Sequence, residues 1–156
     1  MQILLWCSVS VLLGQTAHER GAAEFQAGRF QAAKKYFAQA VREAEGSAPD
    51  LAAELSNLAQ AQVALGELVL ASETIRQAID HLPKSAQLWN QLGQILILRK
   101  QYREAEEVQR KALTLAGPGQ PAIAAVIYSD LSLIHKEAGR NTQALESLES
   151  AQALLP

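Results

Sequence analysis

The sequence predicts an all-α protein, a solenoid of four antiparallel helix pairs, and three observations lead to this class. Alanine and leucine together supply 51 of the 156 residues, which favours helix. Only 5% of the residues are aromatic, and the chain has 9 glycines and 5 prolines, too few for the strands and frequent turns of a sandwich or barrel. The chain also contains an internal repeat, which is the signature of stacked helical units.

The repeat is marked by the turn inside each unit, and the four turns fall at Gly28, Gly66, Lys100 and Gly139. Successive turns are 38, 34 and 39 residues apart, so the units follow one another with insertions between them. The third unit shows the helical period most clearly, because Trp89, Leu92 and Leu96 stand at i, i+3 and i+7. The pattern predicts helices at residues 18–28, 30–45, 50–65, 67–82, 86–99, 101–116, 121–138 and 141–155.

Small residues recur where paired helices must approach closely, and a larger side chain there would force the helices apart. The first helices carry Gly21, Ala59, Gly93 and Ser132 at this position. The second helices carry two such sets, Ala33, Ala71, Ala105 and Ala144, and then Ala40, Ala78, Ala112 and Ala151. The predicted units cover residues 18–47, 52–85, 86–120 and 125–156, within one domain at 18–156.

The first 17 residues carry no charged side chain, and residues 3–13 are an apolar stretch. This stretch is too short to span a bilayer but matches the apolar region of a signal peptide. Residues 1–17 are therefore predicted to be a signal peptide cleaved before His18, which implies a periplasmic or secreted protein. The alternative is that the stretch is an amphipathic cap on the first helix of a cytoplasmic protein. Cleavage would remove Cys7, and no stable membrane insertion of the mature chain is expected.

The sequence offers no constellation for catalysis, for a metal or for a cofactor. The three histidines, His18, His81 and His135, are far apart and lack the spacing of metal ligands. There is no nucleophile elbow and no phosphate-binding glycine loop. The net charge is −2, and the charged run at residues 99–111 mixes signs as a solvated helix face does. We therefore predict neither an enzyme nor a nucleic-acid-binding protein.

The aligned units resemble tetratricopeptide repeats, and the third unit follows that pattern best. Its matching residues are Trp89, Leu92, Gly93, Tyr102, Ala105 and Ala112. The longer second and fourth units resemble the repeats of kinesin light chains and their bacterial relatives. The resemblance covers residues 17–156 and implies a right-handed solenoid. Two residues depart from it: Gln109 stands where the family prefers a large aromatic, and Arg20 occupies a leucine position.

The resemblance implies that the first helices line a concave, neutral, amide-rich groove for a protein or peptide partner. Its candidate residues are Ser56, Asn57, Gln60, Gln87, Asn90, Gln91, Gln94, Ile97, Ser129 and Asp130, with Val63 and Leu133 as further apolar positions. Some members of this family bind the acidic tails of chaperones with a clamp of polar and basic side chains. Asn57 is the one residue of this chain that corresponds to a residue of that clamp. These residues could also be ordinary surface amides.

The function implied is a non-catalytic scaffold that binds a protein or peptide. The alternative is a regulatory or accessory subunit of an enzyme, or of a secretion or envelope complex, whose effector domain lies on another chain. The last helix carries Leu145, Leu148, Leu154 and Leu155, more apolar positions than one buried stripe requires. We therefore expect this end to associate weakly, with a second copy as an isologous dimer or with a partner.

Overall fold

The structure, a computed structural model, describes residues 16–44 and 46–154, and these ranges contain eight α-helices and no strand. The helices are α1 (Ala17–Gln26), α2 (Phe30–Glu43), α3 (Ala48–Ala64), α4 (Leu68–His81), α5 (Ala86–Leu98), α6 (Tyr102–Ala116), α7 (Pro121–Glu137) and α8 (Asn141–Ala153). A short 3₁₀ turn, Gly117–Gly119, joins α6 to α7. The all-α helical-repeat solenoid is confirmed, and every helix end lies within two residues of its predicted position. Residues 1–15, Leu155 and Pro156 lie outside the described ranges, and with them most of the predicted signal peptide.

The four predicted turns all place one residue in the left-handed region of backbone space. The φ angles are 72° at Gly28, 76° at Gly66, 59° at Lys100 and 73° at Gly139. This conformation costs a side-chain-bearing residue more than glycine, which explains the glycine at three of the four turns. At each turn the next amide donates to a carbonyl five residues earlier, as Gln101 N does to Leu96 O at 2.9 Å. The repeat period is therefore a property of the backbone as well as of the sequence.

The first helices of the units differ in length and in how they begin. Helices α3 and α7 have 17 residues each and carry Pro49 and Pro121 in their first turn, where a missing amide hydrogen is harmless. Helix α1 has only 10 residues and begins with a capping box between Thr16 and Glu19. The longer first helices fall in the second and fourth units, as the sequence predicts.

Helix pairs are held by close packing around small residues. Ala33, Ala71 and Ala105 have no exposed surface. One apolar cluster runs through units two to four, and a smaller one joins Ala33, Phe37 and Ala61 between the first two units. In the fourth unit the corresponding Ala144 is only half-buried, so the packing loosens toward the end of the described chain.

Two glycines show how the first helix of a unit makes room for the second. A Cβ atom on Gly21 would lie 2.7 Å from the ring of Phe37, and one on Gly93 would lie 2.6 Å from Cδ of Gln109. Gln109 therefore occupies the place that an aromatic ring holds in the first unit. Because Gln109 is fully buried, its presence there instead of an aromatic residue puts a polar amide in the core.

Each second helix also packs against the first helix of the following unit, and α5 contacts α7 directly. This arrangement brings the first helices side by side along one surface, where the candidate groove residues lie. No helix in the described ranges combines the length and the apolar character needed to cross a bilayer.

Candidate functional site

Two adjoining clefts lie between α3 and α5, the first helices of the second and third units. One cleft has a volume of about 140 Å³ and is lined by Ser56, Ala59, Gln60, Val63, Ile75, Gln91, Gln94, Ile95 and Leu98. The other has a volume of about 270 Å³ and is lined by Pro49, Ala52, Ala53, Ser56, Asn57, Gln60, Leu82, Ser85, Gln87 and Leu88. Because Ser56 and Gln60 line both, the clefts form one continuous groove.

Six of the ten predicted groove residues line these clefts, namely Ser56, Asn57, Gln60, Gln87, Gln91 and Gln94. The other four lie elsewhere. Asn90 is 8% exposed and faces the interior, and Ile97 is half-buried against the core. Ser129 is exposed, but its hydroxyl donates to Ala125 O of its own helix at 3.0 Å. Asp130 lies on α7, beyond Gln94, and has a different environment.

The polar groups of the groove are partly engaged with one another. Ser56 Oγ donates to Gln91 Oε1 across the two helices at 2.8 Å. Asn57 Nδ2 donates to Glu54 Oε2 of its own helix at a longer 3.4 Å. The amide nitrogen of Gln91 and the whole amide of Gln60 make no hydrogen bond within residues 16–44 and 46–154. Donors and acceptors therefore remain available to a bound chain.

Apolar surface accompanies these amides. Leu98, the last residue of α5, is 53% exposed at the rim of the smaller cleft. Val63 is half-buried on the opposite wall, and the fully buried Ile75 of α4 forms the floor. The smaller cleft therefore combines an apolar base with amide walls, the combination that protein ligand sites commonly use.

Asp130 is a carboxylate held by amides. Its Oδ2 accepts hydrogen bonds from Gln94 Nε2 at 3.2 Å and from Gln109 Nε2 at 2.7 Å. Burial raises the pKa of Asp130 to about 6, and the two hydrogen bonds only partly oppose that rise. Gln109 is fully buried, and its Oε1 has no hydrogen-bond partner within the described ranges.

A second polar cluster, centred on Glu106 of α6, was not predicted. Glu106 accepts from Arg140 Nη2 at 2.6 Å and from Arg110 Nη2 at 2.9 Å. These bonds, that from Arg140 first, lower the pKa of Glu106 to about 2 although burial opposes them. The prediction that residues 99–111 form only a solvated face is therefore wrong for Glu106, whose side chain is 17% exposed.

His135 of α7 extends the Glu106 cluster into the interior. Its Nε2 lies 3.5 Å from Glu106 Oε1, and its Nδ1 lies 3.2 Å from Ser147 Oγ. The hydroxyl of Ser147 lies 2.8 Å from Gln143 O, to which it donates. The cluster joins α6 of the third unit to α7 and α8 of the fourth, so it links the two units.

Within the described residues, no group of three or more histidine, cysteine, aspartate or glutamate side chains is placed to hold a metal ion. Trp89, the first matching residue of the third repeat unit, donates from Nε1 to Pro83 O at 2.8 Å. Lys111 Nζ lies 3.7 Å above its ring, so one face of the indole is already covered.

Known proteins share both the repeat and the fold. The family model described as tetratricopeptide repeat matches residues 84–156, the third and fourth units. No curated protein matches the chain by sequence. The solved structures described below share 22% identity or less with the chain, so they bear on the fold alone.

Three of these structures cover most of the chain. BtubC (BKLC) from P. vanneervenii superposes with a TM-score of 0.78 at 21% identity, over 86% of this chain and 59% of its own. MamA from Desulfovibrio magneticus RS-1 gives 0.73 at 17% identity, over 88% and 73%. The Sgt2 TPR domain from Aspergillus fumigatus gives 0.69 at 22% identity, over 81% and 80%. The third and fourth units therefore match the tetratricopeptide-repeat family by sequence, and with four turns in register the described chain has the fold of tetratricopeptide-repeat proteins.

Proposed function

We propose that the chain is a non-catalytic scaffold that binds an extended peptide segment of a partner protein in the groove between α3 and α5. Tetratricopeptide repeats are general protein-interaction scaffolds and are typically non-catalytic. The observation that carries the proposal is the combination of available amide groups with exposed apolar side chains in two adjoining clefts. An amide both donates and accepts, so it can bond a peptide backbone, while apolar contacts add affinity.

The charge of the groove limits the kind of peptide that fits. Helix α5 carries no charged residue between Ala86 and Leu98, and the charged residues of α3 are Asp50 and Glu54. An acidic peptide would meet no cationic side chain on these two helices. The groove therefore favours a neutral or basic segment.

Selection from a random dodecapeptide display library would identify peptides for this test. The affinity of a selected peptide is then measured by fluorescence anisotropy on the wild-type chain and on two variants. Leu98→Lys places a hydrated charge at the rim of the smaller cleft and should weaken binding at least tenfold. Leu70→Lys is the matched control, because Leu70 is similarly exposed, at 44%, but lies on α4 outside both clefts.

The proposal is wrong if wild-type chain selects no peptide, or if both variants bind a selected peptide as well as wild type does. The alternative function, an accessory subunit of an enzyme or of a secretion or envelope complex, predicts a different result. Such a subunit would bind a folded partner surface and would retain that partner after Leu98→Lys.

We also propose that the chain is exported, on the strength of the apolar stretch at residues 3–13. The structure bears on where cleavage would fall. Thr16 Oγ1 accepts from Glu19 N at 3.2 Å, Glu19 Oε2 accepts from Thr16 N at 2.8 Å, and Ala17 is buried. Cleavage before His18 would remove this cap at a cost of about 1 kcal/mol. We expect the mature chain to begin near His18, with α1 lacking this cap.

Intact-mass measurement on protein from its native host tests the export proposal. A mature form that begins near His18 in an exported fraction is the expected result. Met1 retained in a cytosolic fraction would contradict it.

A further inference from the structure

The carboxylate of Asp130 lies on the groove side of the solenoid without a cationic partner. Its Oδ2 accepts from two amide nitrogens, those of Gln94 and Gln109, and none of the ion pairs in the described ranges includes it. Burial and these two hydrogen bonds account for its pKa of about 6. A carboxylate largely removed from water is normally paired with a cation, so Asp130 is an incomplete site.

Asp130 is also continuous with the groove. Gln94, which donates to it, lines the smaller cleft between α3 and α5. A peptide that occupies that cleft and extends along the first helices would therefore pass Asp130. Oδ1 accepts no hydrogen bond from any residue in the described part of the chain, which leaves it available to a ligand.

Apolar side chains border the carboxylate along the same helix. Val126 and Leu133 stand four residues before and three residues after Asp130, on one face of α7, and are 44% and 43% exposed. A ligand group that fits has an apolar stem to lie on these side chains and a positive end to reach the carboxylate. Lysine and arginine side chains have this form.

We infer that Asp130 receives a lysine or arginine side chain of the bound peptide, with the stem of that side chain packed on Val126 and Leu133. The inference rests on the proposed function, because it names the chemistry of the ligand in the same groove. It makes this tetratricopeptide groove selective for a basic residue at one position, while the amides between α3 and α5 bind the backbone.

The neighbouring charges do not supply this partner within the protein. Helix α5 has no charged residue, and on α6 Glu106 is engaged by Arg110 and by Arg140, which precedes α8. On α7, His135 faces Glu106, and Lys136 and Glu137 are exposed farther along the helix. Glu146 and Glu149 of α8 are likewise exposed. Asp130 must lose its proton to bind a cation, so affinity should fall about tenfold from pH 7.5 to pH 5.

The test uses the same dodecapeptide selection, carried out in parallel on wild type, on Asp130→Asn and on Glu137→Gln. Wild type should enrich one lysine or arginine at a fixed position in the aligned peptides. Asp130→Asn should select peptides without that preference. Glu137→Gln is the matched control, since it removes an exposed carboxylate of the same helix, and it should keep the preference.

A selected peptide and its lysine-to-norleucine analogue then separate the charge from the stem. Wild type should bind the lysine peptide at least tenfold more tightly at pH 7.5, and Asp130→Asn should bind the two equally. The carboxyl ¹³C resonance of Asp130 should report a lower pKa in the complex. Equal affinities on wild type, or a lysine preference that survives Asp130→Asn, would overturn this inference and leave the proposed function standing. Failure of wild type to select any peptide would overturn both.

Discussion

The boundary between the third and fourth units contains two carboxylates held in opposite ways. Glu106 of α6 is surrounded by Arg110, Arg140 and His135, and its pKa falls to about 2. Asp130 of α7 is held by amide nitrogens alone, and its pKa rises to about 6. Both are partly withdrawn from water, so burial alone does not decide the direction. The difference lies in whether the surrounding donors carry charge.

This contrast separates a structural role from a binding role within one interface. The ionised form of Glu106 is stabilised by its surroundings and ties α6, α7 and α8 together. The ionised form of Asp130 is destabilised by its surroundings, so the fold gains nothing from that charge. A charge that the fold disfavours is one that an external cation can stabilise.

The largest effect is expected from Glu106→Gln. The folded pKa is about 2 against an ordinary 4.5, so ionisation stabilises the fold above pH 4.5 and that contribution is lost as the pH falls toward 2. The substitution should lower the free energy of unfolding by roughly 2–3 kcal/mol at pH 7, since the arginines are partly hydrated. Urea unfolding from pH 7 to pH 2 measures it. Glu107→Gln, at the exposed neighbour, should change little, and an equal loss in both variants would contradict the assignment.

Gly93→Ala tests whether the buried amide of Gln109 influences the pKa of Asp130. The new Cβ would overlap Gln109, at a net cost of roughly 1–2 kcal/mol once the better helix propensity of alanine is allowed for. Displacing Gln109 weakens its bond to the carboxylate, so the pKa of Asp130 should rise further. Gly21→Ala is the matched control, because it overlaps Phe37 in the same way without touching a carboxylate. Carboxyl ¹³C titration and thermal midpoints distinguish the two, and a pKa shift in both variants would refute the link.

Asp130→Asn should stabilise the protein at high pH. The folded pKa of about 6 exceeds the ordinary 3.8, so wild-type stability falls as the pH rises from 4 to 6 and stays lower above that. The pKa difference corresponds to roughly 3 kcal/mol, but an amide in this place must still bury its polar NH₂ group. The variant should therefore be more stable by about 1 kcal/mol at pH 8 and equal to wild type near pH 4. Urea unfolding at these two pH values measures the difference. A variant that is less stable at pH 8 would show that the carboxylate supports the fold.

The fold was predictable because its determinants are local. The helical period and the turns at Gly28, Gly66 and Gly139 repeat within short stretches of sequence, and Lys100 fits the same spacing without a glycine. Most groove residues were predictable for the same reason, since they follow from the position within each first helix. Asn90 was wrongly predicted to line the groove, because its side chain points toward the interior. The two directions differ by only a fraction of a helical turn.

The contacts between units were not predicted, although the repeat contains a signal for them. The Lys34–Glu67, Ser56–Gln91, Gln94–Asp130 and Glu106–Arg140 pairs join residues 33, 35, 36 and 34 positions apart. Stacking brings together residues about one repeat apart, so complementary side chains at that separation are candidates for contact. The Gln109–Asp130 bond spans only 21 positions and depends on the missing side chain at Gly93. That bond therefore has no signal in the sequence, and only the structure reveals it.

The same register links the boundary between the third and fourth units to the last helix. Thirty-nine residues after Glu106 and Gln109, at the corresponding positions of α8, stand Leu145 and Leu148. In the third unit these positions contact the next unit, whereas Leu145 and Leu148 are 58% and 43% exposed. The apolar positions that the sequence identifies near this helix also include Leu154 and Leu155. Leu154 is half-buried, and Leu155 lies outside the described residues.

The smallest expected effect is weak self-association through this apolar surface, which stays a prediction of the sequence. Leu148→Glu should abolish it, because a carboxylate would have to be buried between two copies. Leu133→Glu is the matched control, since Leu133 is equally exposed, at 43%, but lies on α7, where the sequence predicts a groove position. Sedimentation equilibrium from micromolar to near-millimolar protein should show concentration-dependent dimers for wild type and for Leu133→Glu, and monomer for Leu148→Glu. A wild-type monomer throughout that range would mean that two leucines at this register do not bury enough apolar surface to hold a second copy.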